Sequence, residues 1–403
     1  MSKRGYGKKV KRSKNLYKKK KSSFRKVVEM GLTLVLVGAL VFVGFTVGKT
    51  IFEYEGREPV EPVDIDNPHT DVSETSEASE TPDVTGEPEE PSTIPEEIGR
   101  SVYAPANVLT STVNLSAFLE KAKSDGFDAV VIELKDSDGR LLYKSEIEVL
   151  ADTSIIAGTL TAEQISSLCV NAGLKPIARI NTLMDKLAPS IIQNVSYTLG
   201  EGGRWLDGSA SNPDSRLWAN PFLQGTKSYI SEITSELYKA GFNDIIYANT
   251  VFPRLPAANN QYFPANVTGE DVRFSALAEL VMFAVGNSPG ANIMLEMSLN
   301  DIISGTDTVG SAEILRAANT LEGIKLVVTF TRAESESVAT GGAVIVPDDL
   351  ADLVKTSFTK VENQAGELEI IPCMDGTSLS ESDREKIISA FVQMGYESHM
   401  VRN

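Results

Sequence analysis

Histidine is almost missing from this chain: of 403 residues only His69 and His399 are His. A Ser-His-Asp or Cys-His hydrolytic site would have to rest on His399 alone, and a His-rich zinc centre cannot be assembled. Cysteine is equally scarce. Cys169, in the helical pattern "AEQISSLCVNAG", and Cys373, in the strand-like "LEIIPCMDG", lie far apart in sequence and read as buried free thiols rather than a disulfide framework. No strand is followed by either common glycine-rich phosphate loop, so nucleotide binding has no support. "DSDG" at 136–139 supplies half of a calcium loop in Asp136 and Asp138, but without the later Glu these read as turn residues. No metal and no cofactor are expected.

What is present is charge, unevenly spread. The net charge of −17 conceals thirteen Lys and Arg before Glu29, with no acid among them. A nucleic-acid tail is one reading of such a stretch, but the next residues argue against it. Met30 to Gly48, "MGLTLVLVGALVFVGFTVG", are nineteen uncharged and mostly apolar residues, the length of a helix that crosses a ~30 Å hydrocarbon core. No small-x-small cleavage pattern is evident near Lys49, so a retained signal anchor is expected over 29–50, with the basic tail 1–28 in the cytoplasm and all that follows outside the cell. The tail then needs only anionic lipid headgroups as partner. Residues 51–99, rich in Glu, Asp, Pro, Ser and Thr, cannot bury enough apolar surface to fold. They read as a disordered acidic tether reaching beyond the about 40 Å of a neutral coil of that length.

From 100 to 403 short β-branched runs alternate with helical patterns. Strands are expected in "SVYAPANVL", "DAVVIELKD", "KPIARINTL", "DIIYANTVF", "ANIMLEMSLN", "GIKLVVTFT", "LEIIPCMD" and "SHMVRN", with helices near 115–124, 161–172, 226–240, 272–286, 311–319, 349–362 and 381–394. Eight strands with intervening helices over about 300 residues fit an α/β (β/α)8 TIM barrel; a doubly wound open sheet is the alternative.

Alternation within strands sorts their faces. In "AVVIELKD" the uniformly apolar Val130, Ile132 and Leu134 face the helices, which sends Val131, Glu133 and Lys135 into the barrel. The same parity turns Arg179 and Asn181 inward in "PIARINTL", and Met294, Glu296 and Ser298 in "IMLEMSLN". Charged inward positions near strand ends are costly unless paired or functional. They define a candidate site of Glu133, Lys135, Arg179 and Glu296, and its bland alternative is an ion-pair network that closes the barrel. Trp205 and Trp218, the only tryptophans, bracket "LDGSASNPDSR" and either stack on sugar rings at the rim or pin a long loop. With no histidine to use, a barrel outside the cell points to carboxylate chemistry, and glycoside hydrolysis is the reaction that two carboxylates perform unaided.

Four blocks, "VIELKDSDGRLLY" (131–143), "PIARINTLMDKLAP" (176–189), "RWLDGSASNPDSRLWANPF" (204–222) and "GFNDIIYANTVFP" (241–253), resemble in order those of a bacterial glycoside-hydrolase-like barrel family, long known as a domain of unknown function and distantly similar to amylase-type barrels. The resemblance implies Glu133 as the first-block acid, with Lys135, Asp136, Gly139 and Arg179 kept, and a strand-five acid for which Glu296 is the candidate. Taken with the strand faces, Glu133 and Glu296 are the expected catalytic pair, and Lys135, Asp136, Arg179, Asn181, Trp205, Trp218 and Asn249 are expected toward substrate. One block departs from the pattern. Where the family carries Asp, Tyr and Arg before Phe-Pro, this chain has Ala248, Asn249 and Val251, and only Phe252 and Pro253 remain. Alanine neither donates a proton nor attacks a sugar. Three functions stay open here: a glycosidase working through Glu133 and Glu296, a descendant that binds polysaccharide without turnover, and an envelope scaffold.

Overall fold

The structure is a computed structural model that describes residues 97–402, apart from 152, 200–201, 209–215, 254–269, 305–309, 322 and 341–348. The expected basic tail, membrane anchor and nearly all of the tether lie outside the described residues. Among the described residues no helix is long and apolar enough to cross a membrane.

Eight parallel strands close into a barrel in chain order: β1 Arg100–Tyr103, β2 Ala129–Lys135, β3 Lys175–Asn181, β4 Asp244–Ala248, β5 Asn292–Ser298, β6 Lys325–Phe330, β7 Glu369–Asp375 and β8 His399–Arg402. The β/α barrel expectation holds, and the open-sheet alternative is excluded by the β1–β8 ladder that joins Ser101 to Met400. β1 is shorter than its apolar run, because Pro105 precedes a 3-10 turn over Ala106–Thr110. The helices expected from periodicity are present, and three short ones at Ala188–Ile191, Leu299–Ile303 and Arg332–Thr340 were not foreseen. The last two start within two residues of a strand end, where the strand masks the change of period.

Local chemistry sets the helix ends. Thr161 and Gln164 form a reciprocal capping box at Ala162–Asn171, satisfying two amides that the first turn leaves free. Gly395 ends Glu381–Met394 at φ 88°, a left-handed conformation that a side chain would strain.

Two apolar layers result. Inside the barrel Tyr103, Ala129, Val131, Ile177, Ile246, Met294, Val327, Ile371, Cys373 and Met400 pack together, while Val130, Ile132, Leu134 and the edge-to-face rings of Phe330, Phe358 and Phe391 fill the space between strands and helices. Both cysteines are buried free thiols. Their thiols are pushed up by burial, Cys169 to about 12 and Cys373 to about 11.

Candidate active site at the carboxyl end of the strands

Above the inner layer the strands end in charge. β2 and β3 pair with Glu133 beside Arg179, and alternation from Met294 brings Glu296 in from β5. Arg179 joins the two acids: Nε donates to Glu296 Oε2 at 2.7 Å and Nη2 to Glu296 Oε1 at 2.6 Å, while Nη1 donates to Glu133 Oε1. Tyr103 Oη also donates to Glu296 Oε2 at 3.3 Å, and Arg402 Nη2 lies 3.6 Å from the same oxygen. Glu296 is therefore surrounded by donors. Burial alone would raise its carboxyl, but the charge and hydrogen bonds of Arg179 outweigh that and hold it below the usual carboxylate range. Burial works against the Arg179 charge in turn, and Glu296 more than restores it. Burial keeps the Tyr103 phenol protonated, with its titration pushed well up, so it remains a donor.

Glu133 is held differently. Its Oε1 also accepts from Asn181 Nδ2 at 3.1 Å, and its side chain remains 32% exposed, so Oε2 is the oxygen left toward the mouth. Asn181 is fixed from both sides: its Nδ2 donates to the Lys135 carbonyl at 2.9 Å, and its Oδ1 accepts from Asn249 Nδ2. Asn249 reaches it from a left-handed backbone at φ 52°, one of the few conformations of that kind an Asn tolerates. Ala248 sits between, fully buried, its carbonyl taken by the amide and hydroxyl of Thr182 at 2.9 and 3.2 Å. No carboxylate projects from β4 at this level.

Lys135 is not part of the cluster, contrary to the alternation. The β2–β3 register shifts between Glu133 and Lys135, so Lys135 pairs with Ile180, a helix-facing position. Its ammonium, 0% exposed, meets Asp185 Oδ2 at 2.8 Å, the Asn181 carbonyl at 2.5 Å and the Tyr229 ring, with the centroid 5.7 Å away. Asp185 is in turn held by the amides of Leu187 and Ala188, both at 2.8 Å.

The tryptophans are not platforms at the rim. Trp205 and Trp218 are only 7% and 8% exposed. Trp205 stands edge-on to Tyr197 with centroids 5.8 Å apart, and Trp218 Nε1 donates to Asp207 Oδ2 at 3.2 Å. They pin the long segment between β3 and Gln224–Lys239, the second of the two roles open to them. Asp136 is a turn residue, Oδ1 accepting from the amides of Asp138 and Arg140 at 3.0 and 2.8 Å.

Two site residues escaped the strand reading. Tyr103 and Arg402 stand on four-residue strands too short to show alternation by themselves, and the Arg402 guanidinium lies 4.5 Å over the Tyr103 ring. Asp375 follows Ile371 and Cys373 at the inward spacing of β7, in register with Arg402, but its Oδ1 accepts from the amide and hydroxyl of Thr377 at 3.1 and 2.7 Å. Among the described residues no cluster of His, Cys, Asp and Glu could hold a metal ion.

Several solved structures are similar to this chain. The glycoside hydrolase domain of PgaB (BpsB) from Bordetella bronchiseptica is 14% identical, with a TM-score of 0.50 over 76% of this chain and 94% of that one. The catalytic domain of a beta-amylase from Paenibacillus polymyxa is 12% identical, with a TM-score of 0.49 over 77% and 93%. A hypothetical protein from Ruminiclostridium thermocellum is 19% identical, with a TM-score of 0.41 over 48% and 96%. The likeness to the Bordetella bronchiseptica domain is one of fold alone. No curated protein matches the sequence. The family model described as "Putative glycosyl hydrolase domain" matches residues 101–299, the span from β1 through the end of β5 that holds Glu133, Arg179 and Glu296, and over that span the chain is similar to this family.

Proposed function

We propose that the chain is a membrane-anchored, extracellular barrel that holds a cell-wall or cell-surface polysaccharide at its mouth without hydrolysing it. The observation that carries this reading is the bridging of both acids by one guanidinium, Glu133 through Nη1 and Glu296 through Nε and Nη2. Hydrolysis of a glycosidic bond needs one carboxyl that is protonated and a second with a lone pair free to attack or to activate water. Glu296 is held ionised and its oxygens are occupied by Arg179, Tyr103 and Arg402. Glu133 keeps one oxygen for a sugar hydroxyl, and Ala248 offers nothing in place of the family's acid. The second oxygen of the Glu133 carboxyl group and the side-chain amide of Asn249 are an acceptor and a donor of the kind that fix a sugar's hydroxyls.

The extracellular placement follows from the basic tail, apolar span and acidic tether of residues 1–99. Membrane fractionation with protease protection tests it, since the barrel should be degraded on intact cells while the tail survives. A second reading, a glycosidase pairing Glu133 with Glu296, draws on their shared contact with Arg179. That contact keeps the two carboxyls inside the roughly 10 Å limit of glycosidase pairs. Sedimentation of the protein with insoluble wall polysaccharides separates binding from its absence. Wild type should sediment and Glu133→Ala should stay in solution, while equal sedimentation of both would overturn the assigned site.

A further inference from the structure

Residues 101–403 carry 22 Lys and Arg against 38 Asp and Glu, so a place on this barrel where cations outnumber acids runs against its general field. One such place lies at the rim. The turn after β2 and the segment after β3 gather three cations around Asp138: Arg140 Nη2 at 2.9 Å, Lys186 Nζ at 3.4 Å and Arg216 Nη1 at 3.8 Å. Asp136 adds a second carboxylate, 3.5 Å from Arg140 Nε. Three cations thus share two acids, and each of these cationic side chains stays a third to a half exposed.

The backbone beneath is fixed. Asp136 Oδ1 takes the amides of Asp138 and Arg140, the Lys186 amide donates to the Asp138 carbonyl at 3.0 Å, and Gly139 at φ 97° lies so close to Asp185 that a Cβ there would overlap its Oδ1. The two loops leave the carboxyl ends of β2 and β3, the same end from which Glu133 and Arg179 face the mouth.

We propose that Arg140, Lys186 and Arg216 form an anion subsite beside the mouth, taking the carboxylate of an acidic sugar in a polysaccharide held at Glu133. The inference rests on the glycan-binding reading and names its substrate class. A planar guanidinium offers paired N–H groups that match a carboxylate. One incoming carboxylate brings the local balance to three against three. The long contacts of Lys186 and Arg216 to Asp138 are exposed and weak, so redirecting them toward a ligand costs little.

The test uses the full chain with three probes: oligogalacturonate, a neutral cello-oligosaccharide and a glycerol-phosphate polymer. Wild type should bind oligogalacturonate most tightly and lose affinity as salt rises. Lys186→Gln with Arg216→Gln should weaken that binding about tenfold, the loss of one to two charge-assisted contacts, and leave the neutral probe unchanged. Arg140→Gln alone should act in the same direction, and an unchanged unfolding midpoint in each variant confirms that it is folded. The subsite is overturned if the neutral probe binds as well as oligogalacturonate at every salt concentration, or if the double variant binds oligogalacturonate like wild type. Preference for the phosphate polymer overturns the carboxylate assignment. Failure of all three probes overturns the glycan reading along with the subsite, whereas binding of the neutral probe alone overturns only the subsite.

Discussion

Arg179 takes Glu296 edge-on, with both carboxylate oxygens between 2.6 and 2.7 Å from two nitrogens of one guanidinium. This geometry is stronger than a single-point contact and leaves little of Glu296 for any other partner. Removing one member of such a buried pair strands the other without compensation. Glu296→Gln should therefore lower unfolding free energy by about 3 kcal/mol in urea titrations, and Glu133→Gln, at the exposed side of the same guanidinium, by much less. Equal losses would show that the two acids are equivalent supports.

His399 gives a pH-dependent signature independent of the site. Neither ring nitrogen has a hydrogen-bond partner, and burial, reinforced by Arg100 and opposed by Asp128, pulls its titration down to about 4. The unfolded chain takes up this proton near pH 6.5 and the folded chain only near 4. Stability contributed by the neutral ring is thus complete above about pH 6.5 and lost as the pH falls toward 4, a change of about 3 kcal/mol. Denaturation at pH 7.5 and pH 5 should show about 2 kcal/mol of this loss in wild type and a smaller change in His399→Leu.

Glu296 adds a second, more acidic limb. Its carboxyl is depressed in the folded chain despite burial, so its contribution is present above the unfolded carboxylate value of about 4.5 and disappears as the pH falls below that. Glu296→Gln should flatten the stability profile below about pH 4.5 and leave the His399 limb unchanged.

Most of the barrel was legible because its strands obey a period of two and its helices end on recognisable caps. Val131, Glu133, Arg179, Met294 and Glu296 point where alternation sends them. Lys135 does not, because alternation assumes an unbroken ladder and the register shift after Glu133 depends on how β3 runs beside β2. Tyr103 and Arg402 reach Glu296 only once β8 closes on β1, a relationship that spans the whole domain. The burial of Trp205 and Trp218 depends on how the segment after β3 folds back, through bridges such as Ser196 to Ala219 and Asp207 to Arg216. No local pattern encodes those bridges.

Lys135 and Asp185 form a pair that is 0% exposed on both sides. Lys135→Met alone should destabilise the protein by about 3–5 kcal/mol, since it leaves the Asp185 charge buried and unpaired. Adding Asp185→Asn removes that charge while keeping an oxygen for the Leu187 and Ala188 amides, and should recover much of the loss. A double variant no more stable than Lys135→Met would show that packing of the Lys stem, not the charge, is what matters.

The central claim is that polysaccharide is held without being cut, because Arg179 holds both oxygens of Glu296 and one of Glu133, and Ala248 supplies no acid in their place. Reducing-end release from a bound wall polysaccharide, followed over hours with wild type and Glu133→Gln side by side, tests it most directly. The account predicts binding by wild type with no new reducing ends above the level of the variant. Steady release by wild type that Glu133→Gln abolishes would contradict it and restore Glu133 as a catalytic carboxylate.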